Sequence, residues 1–182
     1  MAANRRSALF EDHVRANEDD LARYFQRRLF NGADAAEAFG EFLLTAWKLR
    51  RRIPENSLEA RMWLFATARN VLLNSRRSLA RHSAAVQRLI DVMHVQDAVL
   101  PSDELSLELR EALEGLPDDD AELVRLVYWD GLRSHEAAVV LGINPSTARS
   151  RLAKAKQCLR AVLDPDDERS PEGVGSVNGT RV

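Results

Sequence analysis

The sequence predicts an all-α fold of two small helical domains joined by a flexible linker. Three observations carry that expectation. Apolar residues recur at steps of three and four along stretch after stretch, the period of a helix with one buried face. Only 8 Gly and 6 Pro interrupt the chain, and runs of β-branched residues are few. Residues 131–151, GLRSHEAAVVLGINPSTARSR, describe two short helices across a tight turn, a helix-turn-helix whose second helix is shaped to enter a DNA major groove.

The elements follow in chain order. Residues 9–30 form an amphipathic helix, with Leu21, Tyr24, Phe25 and Leu29 on one face and a break allowed near Asn17; Asn31-Gly32 is a C-cap signal that ends it. Asp34 then caps a helix reaching about Arg51, with Ala35, Phe39, Phe42, Leu43, Ala46 and Leu49 as its buried stripe. Its opposite face carries Glu37, Glu41, Leu44 and Lys48, so a leucine stands among charges. An isolated exposed Leu is ordinary, and it is equally suited to the centre of a partner-binding patch. Arg50-Arg51-Arg52 and the breaker Pro54 make a basic loop, and Ser57 caps the next helix.

That third helix, residues 58–81, has two faces. Leu64, Phe65, Ala68, Val71 and Leu72 form the core stripe. Trp63, Thr67, Asn70, Asn74 and Arg77 line the other side. A ring to stack on, amides to read edges and a cation for phosphate suit unstacked bases; the plainer alternative packs Trp63 on a neighbouring helix and leaves the amides solvated. Residues 81–104 are weakly patterned and read as a linker. A helix over 105–116 carries Leu105, Leu109, Ala112 and Leu113, and Pro117 ends it. The Asp118-Asp119-Asp120 run favours a new N-terminus, followed by Leu123, Val124, Leu126, Val127, Tyr128 and Trp129, with Asp130-Gly131 as the stop.

In the helix-turn-helix, Glu136 to Leu141 is the first helix, Gly142 makes the turn, Asn144 caps the second helix and Pro145 opens it. On the second helix Ala148, Leu152, Ala155, Leu159 and Leu163 share the inner face. Ser146, Ser150, Ala153, Lys154 and Gln157 point outward, flanked by Arg149, Lys156 and Arg160 on one side and Arg151 on the other. Small polar residues then meet base edges while long cations reach phosphates. Residues 164–182, rich in Pro, Gly, Ser and acid, read as a disordered tail.

Charge is nearly balanced overall, at −2, but unevenly spread. Residues 48–77 hold eight Lys or Arg against two Glu, and residues 144–160 hold five basic residues and no acid. Between them, residues 97–122 carry ten acids and the single Arg110. Two basic segments around an acidic one suggest two nucleic-acid contacts and a connector that avoids or mimics nucleic acid. The lone Cys158 excludes an internal disulfide framework and fits a reducing cytoplasm. The start, MAANRRSALFEDHV, lacks a signal-peptide core, and no run is long enough to insert in a membrane. No zinc-ligand cluster or nucleophile–base pair is visible, so the expectation is a cytoplasmic, non-enzymatic protein without metal or cofactor.

At the level of whole motifs the chain resembles a known family. LPDDDAELVRLVYWDGLRSHEAAVVLGINPSTARSRLAKAKQCL, residues 116–159, is similar to the promoter-reading region 4 of bacterial sigma factors. DAAEAFGEFLLTAW, residues 34–47, resembles the core-polymerase-binding helix of their region 2, and WLFATARNVLLNSRR, residues 63–77, the helix that engages the minus-ten element. Regions 2 and 4 with no region 3 between them is the layout of the extracytoplasmic-function (group IV) subfamily. The resemblance implies a region 2-like domain at 1–80, a linker at 81–104, a region 4-like helix-turn-helix domain at 105–163 and a tail at 164–182. It implies a sigma factor that binds RNA polymerase core and directs initiation at minus-ten and minus-thirty-five elements.

Carried over residue by residue, Glu37, Glu41, Leu44 and Lys48 would meet polymerase, at the β′ clamp helices, with the β subunit as a further contact of the chain. The loop from Arg52 to Ser57 would cradle a flipped base. Asn70, Asn74, Arg76 and Arg77 would contact minus-ten DNA; Ser146, Arg149, Ser150, Arg151 and Lys154 would contact the minus-thirty-five element. An anti-sigma factor is an implied partner. Two positions depart from the pattern: Ala36 stands where another acid is usual and Gly40 where a Gln is usual; in the reader's first helix Ala137 is smaller than the usual branched residue. Two alternatives remain: a sigma-like adaptor that sequesters an anti-sigma factor, and a conventional helix-turn-helix transcription regulator. Basic residues on both proposed DNA faces count against the first. The lack of a strand–helix receiver pattern counts against the second.

Overall fold

The computed structural model describes residues 2–29, 31–90 and 107–163. All regular structure among them is helical: α1 (Ala2–Gln26), α2 (Gly32–Lys48), a 3-10 turn (Arg50–Arg52), α3 (Ser57–Ile90), α4 (Leu107–Glu114), α5 (Asp118–Tyr128), α6 (Ser134–Leu141) and α7 (Pro145–Leu163). Helices α1, α2 and α3 pack together, as do α4 to α7, and α3 also packs on α6. The expected stretch 91–104, Leu105, and the tail at 164–182 lie outside the described residues, as does the side chain of Leu163.

Several helix boundaries differ from expectation: α1 spans Ala2–Gln26 where 9–30 is expected, and three further differences have a hydrogen-bonding reason. Helix α1 runs unbroken through Asn17, whose amide donates to the His13 carbonyl at 2.8 Å and accepts from Arg61 Nη1 at 2.6 Å. A buried Asn satisfied on both atoms need not break a helix. Asn31 caps α2 instead of closing α1: it is extended (φ −129°), and its Oδ1 accepts from Asp34 N at 2.7 Å. Asp34, expected as the cap, occupies the first turn, and α2 stops at Lys48, short of Arg51. Likewise Asn56, one residue before the expected Ser57, caps α3 by accepting from Leu58 N at 2.9 Å and Glu59 N at 3.2 Å. Helix α3 continues to Ile90, into the first ten residues of the expected linker.

The core of the first three helices is aromatic. Phe25 meets Phe42 and Tyr24 meets Phe65 with ring centroids 5.9 and 5.7 Å apart. Leu21, Ala35, Ala38, Ala46, Ile53, Leu64, Ala68 and Leu72 close around them. The cluster does not end there: Leu123, Leu126, Leu132, Ala137, Ala138, Val140 and Ala148, from α5, α6, α7 and the turn between α5 and α6, belong to the same buried body. A smaller cluster, Leu113, Val124 and Ala155 with Trp129 against it, holds α4 and α7 to α5. The small Ala137 therefore lies fully buried between the halves, where a branched side chain would need space that close-packed interiors do not hold.

Candidate nucleic-acid interface

The helix-turn-helix forms as its punctuation requires. Gly142 takes the left-handed conformation (φ +67°) that ends α6, and Ile143 N donates back to the Ala138 carbonyl at 3.0 Å. Asn144 Oδ1 accepts from Ser146 N at 2.9 Å and starts α7. Upstream, the buried Glu136 accepts from Arg133 N at 2.9 Å, fixing the entry to α6. On α7, Ala148 and Ala155 are buried and Leu152 and Leu159 half-buried, while Ser146, Arg149, Ser150, Ala153, Lys154 and Gln157 are exposed. Both serine hydroxyls donate inward, Ser146 to Asn144 Oδ1 at 2.8 Å and Ser150 to the Thr147 carbonyl at 3.0 Å. Their lone pairs thus face out as acceptors. Arg151 is set apart: its guanidinium approaches Asp119 at 3.9 Å and Asp120 at 3.8 Å and is 40% exposed.

On α3 the exposed line is shorter than expected. Thr67 is buried and donates to the Trp63 carbonyl at 2.8 Å, and Trp63 packs against the core, so the ring is held by neighbouring helices. Asn70, Asn74 and Arg77 stay exposed. Arg76 has a second task, because its Nη2 donates to the Arg28 carbonyl at 2.9 Å. Just before α3, Ile53 is buried and Arg6 Nη1 donates to the carbonyls of Arg51 and Ile53 at 3.2 and 3.1 Å, which pins the basic loop to α1.

Helix α2 presents the third surface. Glu37, Glu41, Leu44 and Lys48 are all exposed, Leu44 by 62%. Trp47 extends the apolar patch, half shielded by Arg50, whose guanidinium lies 4.3 Å from the ring centroid. Leu44 and Trp47, with Glu37 and Glu41 on the same helix, make an exposed amphipathic ridge. Gly40 on the same helix faces open space, since a Cβ there meets nothing within 4 Å.

What the sequence hid is a polar network that ties α1 and α3 to the α5–α6 corner. Arg28 Nε donates to both oxygens of Glu122 at 3.0 Å, and its Nη2 donates to Asp130 Oδ2 at 2.6 Å. The same guanidinium stacks 3.8 Å over the Tyr24 ring, and Tyr24 Oη donates to Glu122 at 3.1 Å. Burial works against the Arg28 charge, but Glu122, Tyr24 and Asp130 hold its pKa above the ordinary value. Burial likewise raises the Tyr24 hydroxyl, with Glu122 adding to it. Arg61 Nη2 donates to the Asp130 carbonyl at 2.8 Å and its Nη1 to Asp20 at 2.7 Å, while Arg27 Nη1 donates to the Trp129 carbonyl at 2.9 Å. Among the described residues no group of His, Cys, Asp or Glu is placed to hold a metal, and no helix is long and apolar enough to cross a membrane.

These surfaces coincide with two family models: Sigma-70 region 2 matches residues 13–82 and Sigma-70 region 4 matches residues 106–159. The chain is 32% identical over 161 residues to the ECF RNA polymerase sigma factor SigL of Mycobacterium tuberculosis, covering 86% of this chain and 87% of that protein. It is 30% identical over 140 residues to the ECF sigma factor SigF of Caulobacter vibrioides, covering 76% of each. The fold is similar to that of the sigma factor RpoE of Bartonella quintana, solved with the anti-sigma factor NepR, at a TM-score of 0.63 and 22% identity over 86% of this chain and 98% of that one. It is also similar to CnrH, solved with the cytosolic domain of CnrY, at a TM-score of 0.59 and 21% identity over 86% and 88% of the two chains. With both halves matched in order and on one continuous chain, the protein belongs to the extracytoplasmic-function (ECF) sigma factors of RNA polymerase.

Proposed function

We propose that this chain is a cytoplasmic promoter-specificity subunit that docks on RNA polymerase core through α2 and reads promoter DNA at two places, α3 and α7. The observation that carries the reading is the division of labour between three exposed surfaces. The acidic-apolar ridge of Glu37, Glu41, Leu44 and Lys48 suits a protein partner, here the β′ clamp helices, with the β subunit engaged elsewhere on the chain. Asn70, Asn74 and Arg77 suit single-stranded minus-ten bases and their phosphates, with Arg76 beside them. Ser146, Arg149, Ser150 and Lys154 suit the minus-thirty-five duplex, where serine acceptors meet base edges and the cations meet phosphates. Arg151 joins them after leaving Asp119 and Asp120.

The protein performs no covalent chemistry in this reading. Binding energy at α7 and α2 places polymerase on the promoter, and contacts at α3 hold bases once they leave the duplex, an unstacking that costs a few kcal/mol per base. An anti-sigma protein is the regulatory partner that the family resemblance supports. The test is run-off transcription by core polymerase with and without the full chain, followed by start-site mapping. Starts that appear only with the chain and share two spaced elements support the proposal. Tight core binding with no start across a genomic promoter screen would leave the adaptor reading in its place.

A further inference from the structure

The first turns of α1 reach the corner where α2 hands the chain to α3. Arg6 Nη1 donates to the Arg51 carbonyl at 3.2 Å and to the Ile53 carbonyl at 3.1 Å. Phe10 follows one turn later, on the same face of α1. It is buried and meets the Trp47 ring edge-on, with centroids 5.6 Å apart. Trp47 in turn lies against the Arg50 guanidinium, 4.3 Å from its ring centroid, and its carbonyl accepts from Arg50 Nη1 at 2.9 Å. The 3-10 turn is thus tied to α1 at its start through Phe10 and Trp47, and at its end through Arg6. Both α1 residues precede residue 13, where the region 2 match begins.

Arg6 adds a fourth arginine to a corner that already holds Arg50, Arg51 and Arg52, and its hydrogen bonds end on carbonyls rather than on a carboxylate. Like charges repel, so geometry and not charge pairing keeps it there. The chain that follows is fastened as well. Ile53 is buried in the core, and Asn56 Oδ1 is engaged by Leu58 N and Glu59 N. Between and beside these anchors Arg52, Glu55 and Ser57 stay exposed. A loop held on both sides presents its polar groups at set positions, so a wrong base leaves one of them unpaired. A loose loop would shift to meet either base and select neither.

We propose that Arg6 is a positioning residue for capture of the opened strand: with Phe10 it braces the Arg52–Ser57 loop in the shape that selects one unstacked base. The inference rests on the single-strand reading of α3 above. Asn70 follows Ser57 by about 20 Å of helix, at a rise of ~1.5 Å per residue. The loop therefore meets the strand at a different nucleotide from those held by Asn70 and Asn74, and the brace acts on that nucleotide alone. It also lowers the cost of capture, because the loop is already ordered when the base arrives.

Arg6→Met tests the brace, since it keeps a long unbranched stem and a helix-favouring residue while removing every donor. The full chain on core polymerase is titrated with labelled single strands carrying the minus-ten element of a promoter found by start-site mapping, each position substituted in turn. Wild type is expected to discriminate by about tenfold at each position it reads, the scale of one mismatched contact. Arg6→Met is expected to lose that discrimination at one position and keep it at the others. Discrimination equal to wild type at every position would overturn the proposal. Weakening that is uniform across sequences, with the salt slope reduced by about one, would overturn it too and make Arg6 a phosphate contact. Amide hydrogen exchange of the free chain gives a second readout. Arg52, Ile53, Glu55 and Asn56 are expected to exchange faster in Arg6→Met than in wild type, and equal rates there count against the brace. Arg5→Met, at the exposed neighbouring position, controls for fraying of the helix end; the same loss of discrimination in that variant would sink the assignment to Arg6. Should wild type show no base preference on single strands, the reading of α3 fails, while exchange still reports whether Arg6 holds the loop.

Discussion

Arg28 Nη2 meets Asp130 Oδ2 at 2.6 Å with the two side chains only 0% and 1% exposed, so residues 102 positions apart form a fully desolvated ion pair. Its partners are not equivalent. Arg28 neutralises two carboxylates, Glu122 and Asp130, whereas Asp130 is one of two anions on a single cation. Removing Arg28 leaves two buried anions without their counter-ion, and Arg28→Met is expected to cost about 3–5 kcal/mol, the range for a broken buried pair. Burial holds the Asp130 carboxyl above its ordinary value of 3.8 despite the pull of Arg28. An acid raised by folding favours the fold below its unfolded pKa, and that advantage is lost as pH rises through the folded value. Asp130→Asn keeps an acceptor for Arg28 without that ionisation, so it is expected to be less damaging than Arg28→Met at pH 7. Urea denaturation of the two variants checks the order; equal losses contradict it.

Arg76 and Asn74 sit two positions apart on α3 but do different things. Arg76 donates to the Arg28 carbonyl, the last turn below the buried pair, while Asn74 is exposed. Arg76→Ala is expected to lower stability by about 1 kcal/mol, the worth of one partly exposed charge-assisted hydrogen bond. Asn74→Ala is expected to leave thermal unfolding within about 0.5 kcal/mol of wild type and to slow promoter opening. Parallel melting curves and open-complex kinetics separate the two. A stability loss at Asn74 as large as at Arg76 contradicts the division.

What was legible in the sequence was local. Gly142, Asn144 and Pro145 act on their nearest neighbours, so the turn between α6 and α7 could be read from residue type alone. Leu44 stood out as apolar on a charged face and is exposed as expected. The caps of α2 and α3 were missed by three residues and one because Asn31 and Asn56 stand close to other good caps, and only the hydrogen bonds tell which is used. Asn17 stays helical because of Arg61, a partner 44 positions away. Glu122 stood in a run of acids that read as a connector between two basic segments; its buried partner is Arg28, 94 positions earlier. Trp63 and Thr67 were on the right side of α3 but one turn too close to the core to remain open.

Gly40 is a helical glycine with nothing against it. Its added Cβ would touch no atom within 4 Å, and Ala has the higher helix propensity by about 1 kcal/mol. Gly40→Ala is therefore expected to stabilise the chain by about 0.5–1 kcal/mol, read as a rise in the urea midpoint at unchanged slope. A lower midpoint would mean that α2 needs a small residue there for a reason the packing does not contain.

Leu44 offers the cleanest separation of binding from folding, since its side chain is 62% exposed on α2. A charge placed in the middle of a docking patch loses the apolar contact and must be desolvated on binding. Leu44→Glu is expected to weaken core polymerase affinity at least tenfold with the melting curve unchanged, measured by competition against the wild-type chain. Undiminished affinity would move the polymerase contact off this ridge.

Arg149 and Lys154 are both exposed on α7, but their expected partners differ in kind. Lys154 is a flexible point charge suited to phosphate, while the Arg149 fork can also address a base edge. Each phosphate neutralised releases close to one counterion, so Lys154→Ala is expected to reduce the slope of log affinity against log salt by about one on every sequence alike. If Arg149 reads a base, Arg149→Ala is expected to cost about 1–3 kcal/mol on the cognate upstream element and much less on a scrambled one. Fluorescence anisotropy of the holoenzyme on both duplexes at several salt concentrations distinguishes these roles. Losses that match on the two sequences would place Arg149 on the backbone beside Lys154, and the sequence preference of α7 would then fall to its outward serines.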